Sequence, residues 1–269
     1  GLRGELLFEP TENMSFRLIG DYDTIDELCC AAANVVNGPT GAIVNLLGGQ
    51  VVPEDPTSYK VAYNVGSTNN IDNGGLSLQG DFDLGTMTLT SITAYRESDL
   101  EQNADSDFTS ADLLSRNYNA TDIETFTQEV RLTSTGEGPI DWMVGGFYFD
   151  ETVAIKNELY YGADFRGYAD ALSGGALGLV EGALSLPVGL VFGQAGQGLT
   201  EEFGQDNTAW SIFGTVDWHA TDRLTATVGL NYTEDEKDAY GNIVSTDVFS
   251  GLDLVAIGFA QTLAGYSVD

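Results

Sequence analysis

Histidine occurs once in these 269 residues, at His219, and cysteine only as the adjacent pair Cys29 and Cys30. That supply is too thin for a His/Cys metal centre or a nucleophile–base pair, so the chain is expected not to be an enzyme. Basic residues are scarce as well: ten Lys and Arg stand against 41 Asp and Glu, a formal charge of -31. With no basic surface to neutralise phosphates, nucleic acid is excluded as a partner. The chain also has no basic-then-apolar leader. It opens on Gly1-Leu2-Arg3-Gly4-Glu5 and trails off through Gly265-Tyr266-Ser267-Val268-Asp269, and it reads as a fragment. Charged residues make up only 19% of the chain, whereas it carries 33 Gly and 10% aromatics. A disordered acidic tail would be poorer in apolar groups, and this Gly-, Thr- and aromatic-rich mixture is that of a β protein.

The dominant pattern has period two. Leu76, Leu78, Gly80, Phe82 and Leu84 alternate with Ser77, Gln79, Asp81 and Asp83, and Leu224, Ala226, Val228, Leu230 and Tyr232 alternate with Thr225, Thr227, Gly229, Asn231 and Thr233. Such runs specify strands with one apolar and one polar face. Looser copies run through Phe16–Tyr22, Phe126–Leu132 and Trp210–Trp218. Antiparallel pairing of like faces opposes Leu84 to Met87 and Phe82 to Leu89, Leu132 to Trp142 and Val130 to Val144, and Trp218 to Leu224 and Trp210 to Tyr232. Four hairpins result, at about 2–23, 75–96, 124–150 and 208–234, with short turns near 11, 85, 137 and 221.

Between the hairpins lie long connections, about 24–74, 97–123, 151–207 and 235–269. Short turns alternating with long loops, joined to strands that are apolar on one face, describe an antiparallel transmembrane β-barrel with short periplasmic turns and long extracellular loops. Charge divides in the same way. The segments 21–58, 96–124, 150–207 and 234–269 hold 30 of the 41 acidic and 5 of the 10 basic residues, a net of -25. Trp210 and Trp218 share a face eight residues apart. In a tilted strand that is roughly 20 Å of height, close to the apolar band between the aromatic girdles of such barrels. The run 171–193 carries a single charge, Glu181, but its glycines and Pro187 argue for a folded loop over the barrel mouth rather than a membrane helix.

Three stretches resemble one family when taken together. Thr127-Gln128-Glu129-Val130-Arg131-Leu132-Thr133-Ser134, followed by Asp141-Trp142-Met143-Val144-Gly145-Gly146-Phe147-Tyr148-Phe149, resembles the mid-barrel hairpin of TonB-dependent outer-membrane receptors. Ser211–Trp218 leading into Asp222–Lys237 resembles the next hairpin, and Ser91-Ile92-Thr93-Ala94-Tyr95-Arg96 an earlier strand. The resemblance implies a 22-stranded barrel with an N-terminal plug in a Gram-negative outer membrane. It also implies energised import of siderophore–iron, cobalamin, haem or glycans. No plug-like segment and no TonB-contacting box is visible, so TonB contacts are expected to lie in parts of the protein not present here. The chain reads as an internal barrel segment. Rival classes are a passive porin-like channel and a surface β protein acting as an adhesin.

Candidate sites follow from these faces. Glu129 and Arg131 project from the polar face of one strand, as a luminal pair for plug or substrate or as part of a structural ion network, and Asp81 and Asp83 form an acidic luminal stripe. Asp99, Glu101, Asp105 and Asp107, and separately Glu234, Asp235, Glu236 and Asp238, are clustered carboxylates suited to calcium or magnesium. Calcium on these loops is the one cofactor expected. The acidic rim would meet outer-membrane lipid and lipopolysaccharide through such ions. Cys29 and Cys30, in the first long loop, are candidates for a strained disulfide between neighbours, for pairing with parts of the protein not present here, or for free thiols.

Overall fold

The computed structural model describes residues 1–30, 32–136 and 138–253. Eight strands form one antiparallel sheet in strict sequence order: β1 (Leu2–Thr11), β2 (Met14–Leu28), β3 (Thr68–Asp83), β4 (Met87–Asn103), β5 (Leu114–Ser134), β6 (Ile140–Tyr161), β7 (Gly198–Thr221) and β8 (Leu224–Ser245). Every connection joins neighbours, so successive connections fall on alternate rims. The turns near 11, 85, 137 and 221 therefore share one rim. They are also tied to one another: Asp83 N–H donates to the Asn13 carbonyl, Thr135 N–H to that of Thr86, and His219 N–H to that of Pro139. Glu137 itself lies outside the described residues. On the opposite rim are three loops, L1 (29–67), L2 (104–113) and L3 (162–197). Among the described residues neither β1 nor β8 pairs with a further strand.

The strands outrun the hairpins expected from the sequence, continuing into segments read there as loops. β4 extends to Asn103, β5 begins at Leu114, β6 reaches Tyr161 and β8 reaches Ser245. Beyond the apolar band both faces are polar, so the alternation fades while the backbone ladder continues. Register holds for β3–β4, where Phe82 faces Leu89. It moves by two residues in the other two pairs: Leu132 faces Val144, and Trp218 faces Ala226. The aromatic pairs used to set those registers do meet, but diagonally. Phe126 and Tyr148 rings lie 6.3 Å apart and Trp210 and Tyr232 rings 5.6 Å apart. A two-residue shift leaves every side chain on its expected face.

Among the described residues no helix is long and apolar enough to cross a membrane. L1 carries α1 (Gly41–Leu46), and L3 carries α2 (Phe165–Leu172) and α3 (Ala176–Ala183), so the run 171–193 is a folded loop. The buried apolar cluster lies outside the sheet, where Val44 of α1, Ala111 and Leu113 of L2 pack with Leu47, Val51 and Tyr168.

Candidate functional site

Cross-strand pairing places Leu18, Leu76, Leu78, Val130, Val144, Ile212, Val216, Val228 and Leu230 on one face, and all are exposed. This outward belt is bounded by two aromatic rows. Phe8, Phe16, Phe82, Trp142 and Trp218 lie toward the short turns; Tyr22, Tyr95, Phe126, Tyr148, Trp210 and Tyr232 lie toward the loops. At the loop-side row three of the tyrosines turn their hydroxyls to carboxylates. Tyr22 donates to Asp72 at 2.6 Å, Tyr95 to Glu97 at 2.6 Å, and Tyr148 to Asp150 at 3.3 Å. An apolar ring body with a hydrogen-bonded tip fits the boundary between hydrocarbon and water.

The opposite face is polar and holds the luminal candidates. Glu129 and Arg131 form an ion pair at 3.1 Å along β5, next to Thr90 of β4 and Phe147 of β6. Asp81 accepts from Gln79 at 2.7 Å and from the Thr90 hydroxyl at 2.6 Å, whereas Asp83 accepts from Gly85 N–H at the turn. Two further luminal groupings escaped the sequence reading. Arg96 grips Asp21 with both terminal nitrogens, at 3.0 and 2.7 Å, across the intervening β3. His219 is a strand residue rather than part of a turn, and its Nε2 lies 2.7 Å from Asp141. Both links join residues 75 or more positions apart in the chain. Only strand order and register bring them together, so no local signal announces them.

The three loops form one interlocked canopy with L2 at its centre. Gln50 N–H donates to Ser110 Oγ, and Ser110 N–H returns to the Gln50 carbonyl. Asp112 accepts from Asn64 of L1 and from Ala163 N–H of L3, while its own N–H donates to Asp164. Gly162 passes so close to Asp112 that an added Cβ would sit 2.1 Å from the Asp112 carbonyl oxygen. Any larger residue there would push L3 off L2.

Within L3, Glu181 is fully buried and organises the loop. Its carboxylate receives the Arg166 guanidinium at 2.6 and 2.9 Å and the N–H groups of Gly189, Val191 and Phe192. The Arg166 hydrogen bonds outweigh its burial and hold its pKa down at about 2. The same contacts raise the Arg166 pKa. The single charge of the 171–193 run is therefore an internal anchor.

The acidic clusters do not assemble as the sequence grouped them. Asp99 and Glu101 lie on the outward face of β4, whereas Asp105 and Asp107 sit in L2 with oxygens occupied by backbone N–H groups. On β8, Glu234, Glu236 and Asp238 point outward and Asp235 inward. Among the described residues no three His, Cys, Asp or Glu side chains are grouped to hold a metal ion. Cys29 and Cys30 are bonded to each other at the exit from β2, with Gln102 of β4 directed at both sulfurs.

The family described as TonB dependent receptor-like, beta-barrel, matches residues 33–255. The chain belongs to that family. No curated protein matches it in sequence. In fold it is similar to the ferric yersiniabactin uptake receptor FyuA from Yersinia pestis, with a TM-score of 0.59 at 11% identity over 91% of this chain and 31% of that one. Two further receptors, both from Acinetobacter baumannii, give weaker matches. The ferric preacinetobactin receptor BauA has a TM-score of 0.48 at 10% identity, covering 91% of this chain and 35% of its own, and the siderophore receptor PiuA has 0.45 at 13%, covering 90% and 39%. The chain thus spans about a third of the length of these receptors, and its open eight-stranded sheet is an arc of barrel wall.

Proposed function

We propose that the protein containing this chain is an outer-membrane receptor of a Gram-negative bacterium that imports a scarce nutrient with energy delivered by TonB. The observation that carries the reading is the outward apolar belt framed by two aromatic rows, capped on one rim by an interlocked canopy of loops. Such a belt needs an apolar surface against it, which hydrocarbon supplies, and short turns on one rim with long loops on the other are the arrangement in which the loops face the cell exterior. This segment supplies wall and canopy. Its inner face, with Glu129–Arg131, Asp81 and Arg96–Asp21, lines the passage and meets whatever occupies it. The substrate class favoured is a ferric chelate, because FyuA, to which the chain is similar in fold, is a ferric yersiniabactin uptake receptor. TonB contacts belong to parts of the protein outside this chain, and the acidic outer wall meets lipopolysaccharide through divalent cations.

The test is uptake by the full-length receptor in a strain stripped of its own ferric receptors, supplied with iron as siderophore chelates, haem or free salt. Growth restored by a chelate and lost on deletion of TonB is the expected result. Uptake that survives that deletion would mark a passive channel, and binding of host surfaces without uptake an adhesin.

A further inference from the structure

Where L1 leaves the wall, two neighbouring residues are joined to each other, Cys29 half-buried and Cys30 exposed. Cys29 carries the sheet ladder one rung past β2, its N–H donating to the Ser67 carbonyl, and the Ser67 hydroxyl accepts from Asp105 N–H of L2. Gln102 of β4 directs its amide nitrogen at both sulfurs, 3.3 Å from Cys30 Sγ and 4.0 Å from Cys29 Sγ. The backbone of Cys30 then turns to a φ of 69°, the left-handed region that a residue with a Cβ occupies only when its surroundings hold it there. Beyond it, Ala32, Ala33, Val35 and Val36 make no hydrogen bond among the described residues, and Asn34 bonds only Asn37. Asn37 is where L1 is tied down again, to Glu54 and to the Val52 carbonyl. The start of L1 is thus a span fixed at its two ends, the disulfide and Asn37.

We propose that the Cys29–Cys30 disulfide is a redox-sensitive catch at the root of L1, opened by a low-molecular-weight thiol in the surrounding medium. The thiolate attacks Cys30 Sγ, on the exposed residue, and expels Cys29 Sγ, toward which Gln102 directs an N–H. A second small thiol then attacks the sulfur of the first in the mixed disulfide and frees Cys30. The two small thiols leave joined as one disulfide, having given up two electrons, and their two protons end on the sulfurs of Cys29 and Cys30. With the bond gone, Cys30 returns to a negative φ, where a residue with a Cβ is more stable. That rotation swings residues 32–36 off the wall, while the rest of L1 stays bound to L2 through Gln50–Ser110 and Asn64–Asp112. A permanent staple fits less well. A bond between neighbours closes almost no loop of chain, so it constrains the unfolded state little, and its effect is confined to the direction of the backbone at this point. The proposal does not depend on what the receptor imports, because thiol content and loop cleavage are read without transport.

The test uses the full-length receptor in detergent, incubated with millimolar reduced glutathione, alkylated, freed of reagent and digested with elastase, which cuts after small apolar residues such as Ala32, Ala33 and Val35. Thiol labelling should find both cysteines reduced in the folded receptor. Cleavage between residues 32 and 36 should run about tenfold faster than in untreated protein. Excess oxidised glutathione, added in place of the alkylating reagent, should restore the slow rate. Cys29→Ser combined with Cys30→Ser should be cut at the fast rate with or without glutathione, which separates this bond from any other disulfide of the receptor. A disulfide that resists glutathione until the receptor is denatured would overturn the proposal. So would reduction that leaves cleavage unchanged, or a folded double variant cut as slowly as the untreated receptor. The first two readings come from the unaltered receptor, so the proposal stays testable if the double variant does not fold.

Discussion

At the scale of single residues the most consequential group is Glu181, a lone charge in an otherwise apolar run. A carboxylate taken wholly out of water is tolerated only when paired and hydrogen-bonded, and Glu181 has one guanidinium and three N–H donors. Removing one partner of such a pair typically costs about 3–5 kcal/mol. Glu181→Gln should therefore leave the sheet intact but open L3, read as faster proteolytic cleavage between residues 184 and 192. The pH dependence follows from the direction of the shift. The folded pKa lies at about 2, below the ordinary value of 4.5, so the stabilisation is complete above 4.5 and declines as pH falls toward 2. Pepsin cleavage of L3, divided at each pH by its cleavage of an unstructured peptide, should rise steeply only across that interval. A normalised rate independent of pH there would show that Glu181 does not hold the loop.

At the scale of elements, faces were more legible than pairing partners. Alternation in residues 75–84 and 224–233 assigns faces directly, because successive side chains of a strand point to opposite sides. Opposing partners were harder to read, since Trp210 and Tyr232 touch across a diagonal while their direct partners are Glu234 and Ile212. The face assignment makes a sharp prediction near the middle of the apolar band, where Leu230 faces Gly214 and is 80% exposed. Leu230→Arg should destabilise the folded barrel by about 2–4 kcal/mol in lipid, whereas Asn231→Arg, one residue on, should cost far less. Urea titrations in lipid vesicles would measure both. Equal losses would mean that β8 is turned by one residue. Cysteines introduced at Leu78, Val216 and Val228 should react with lipid-soluble reagents, and those at Ser77, Thr225 and Asn231 with water-soluble ones.

At the scale of the whole molecule, the charge of -31 is organised rather than diffuse. Directly above the loop-side aromatic row, Asp72, Glu97, Asp99, Asp122, Glu124, Asp150, Asp206, Glu234, Glu236 and Asp238 all face outward. In the membrane setting proposed above, such a belt would stand at the level of lipid head groups and repel the phosphates of lipopolysaccharide unless cations intervene. Millimolar calcium is expected to raise the melting temperature of the complete detergent-solubilised receptor more than sodium does at the same ionic strength. Equal shifts in the two salts would reduce the belt to a screened acidic surface. Exchanging Asp99 and Asp122 for Asn should diminish the calcium effect, since the two oppose each other across β4 and β5.

The sequence by itself determined the strand faces, the apolar band with its aromatic borders, the rim on which the short turns lie and the concentration of charge at the other rim. All of these follow from periodicity and composition, which act over a few neighbouring residues. The lengths of the strands above the band, the Arg96–Asp21 and His219–Asp141 links, the interlocking of L1, L2 and L3 and the burial of Glu181 were decided only in the tertiary structure. Each of these depends on which strands lie side by side, or on loops meeting across dozens of residues, and a one-dimensional pattern does not encode that proximity. The same carboxylate chemistry thus becomes an outward belt at Asp99, an N–H cradle at Asp105 and a buried anchor at Glu181, according to what the fold brings beside it.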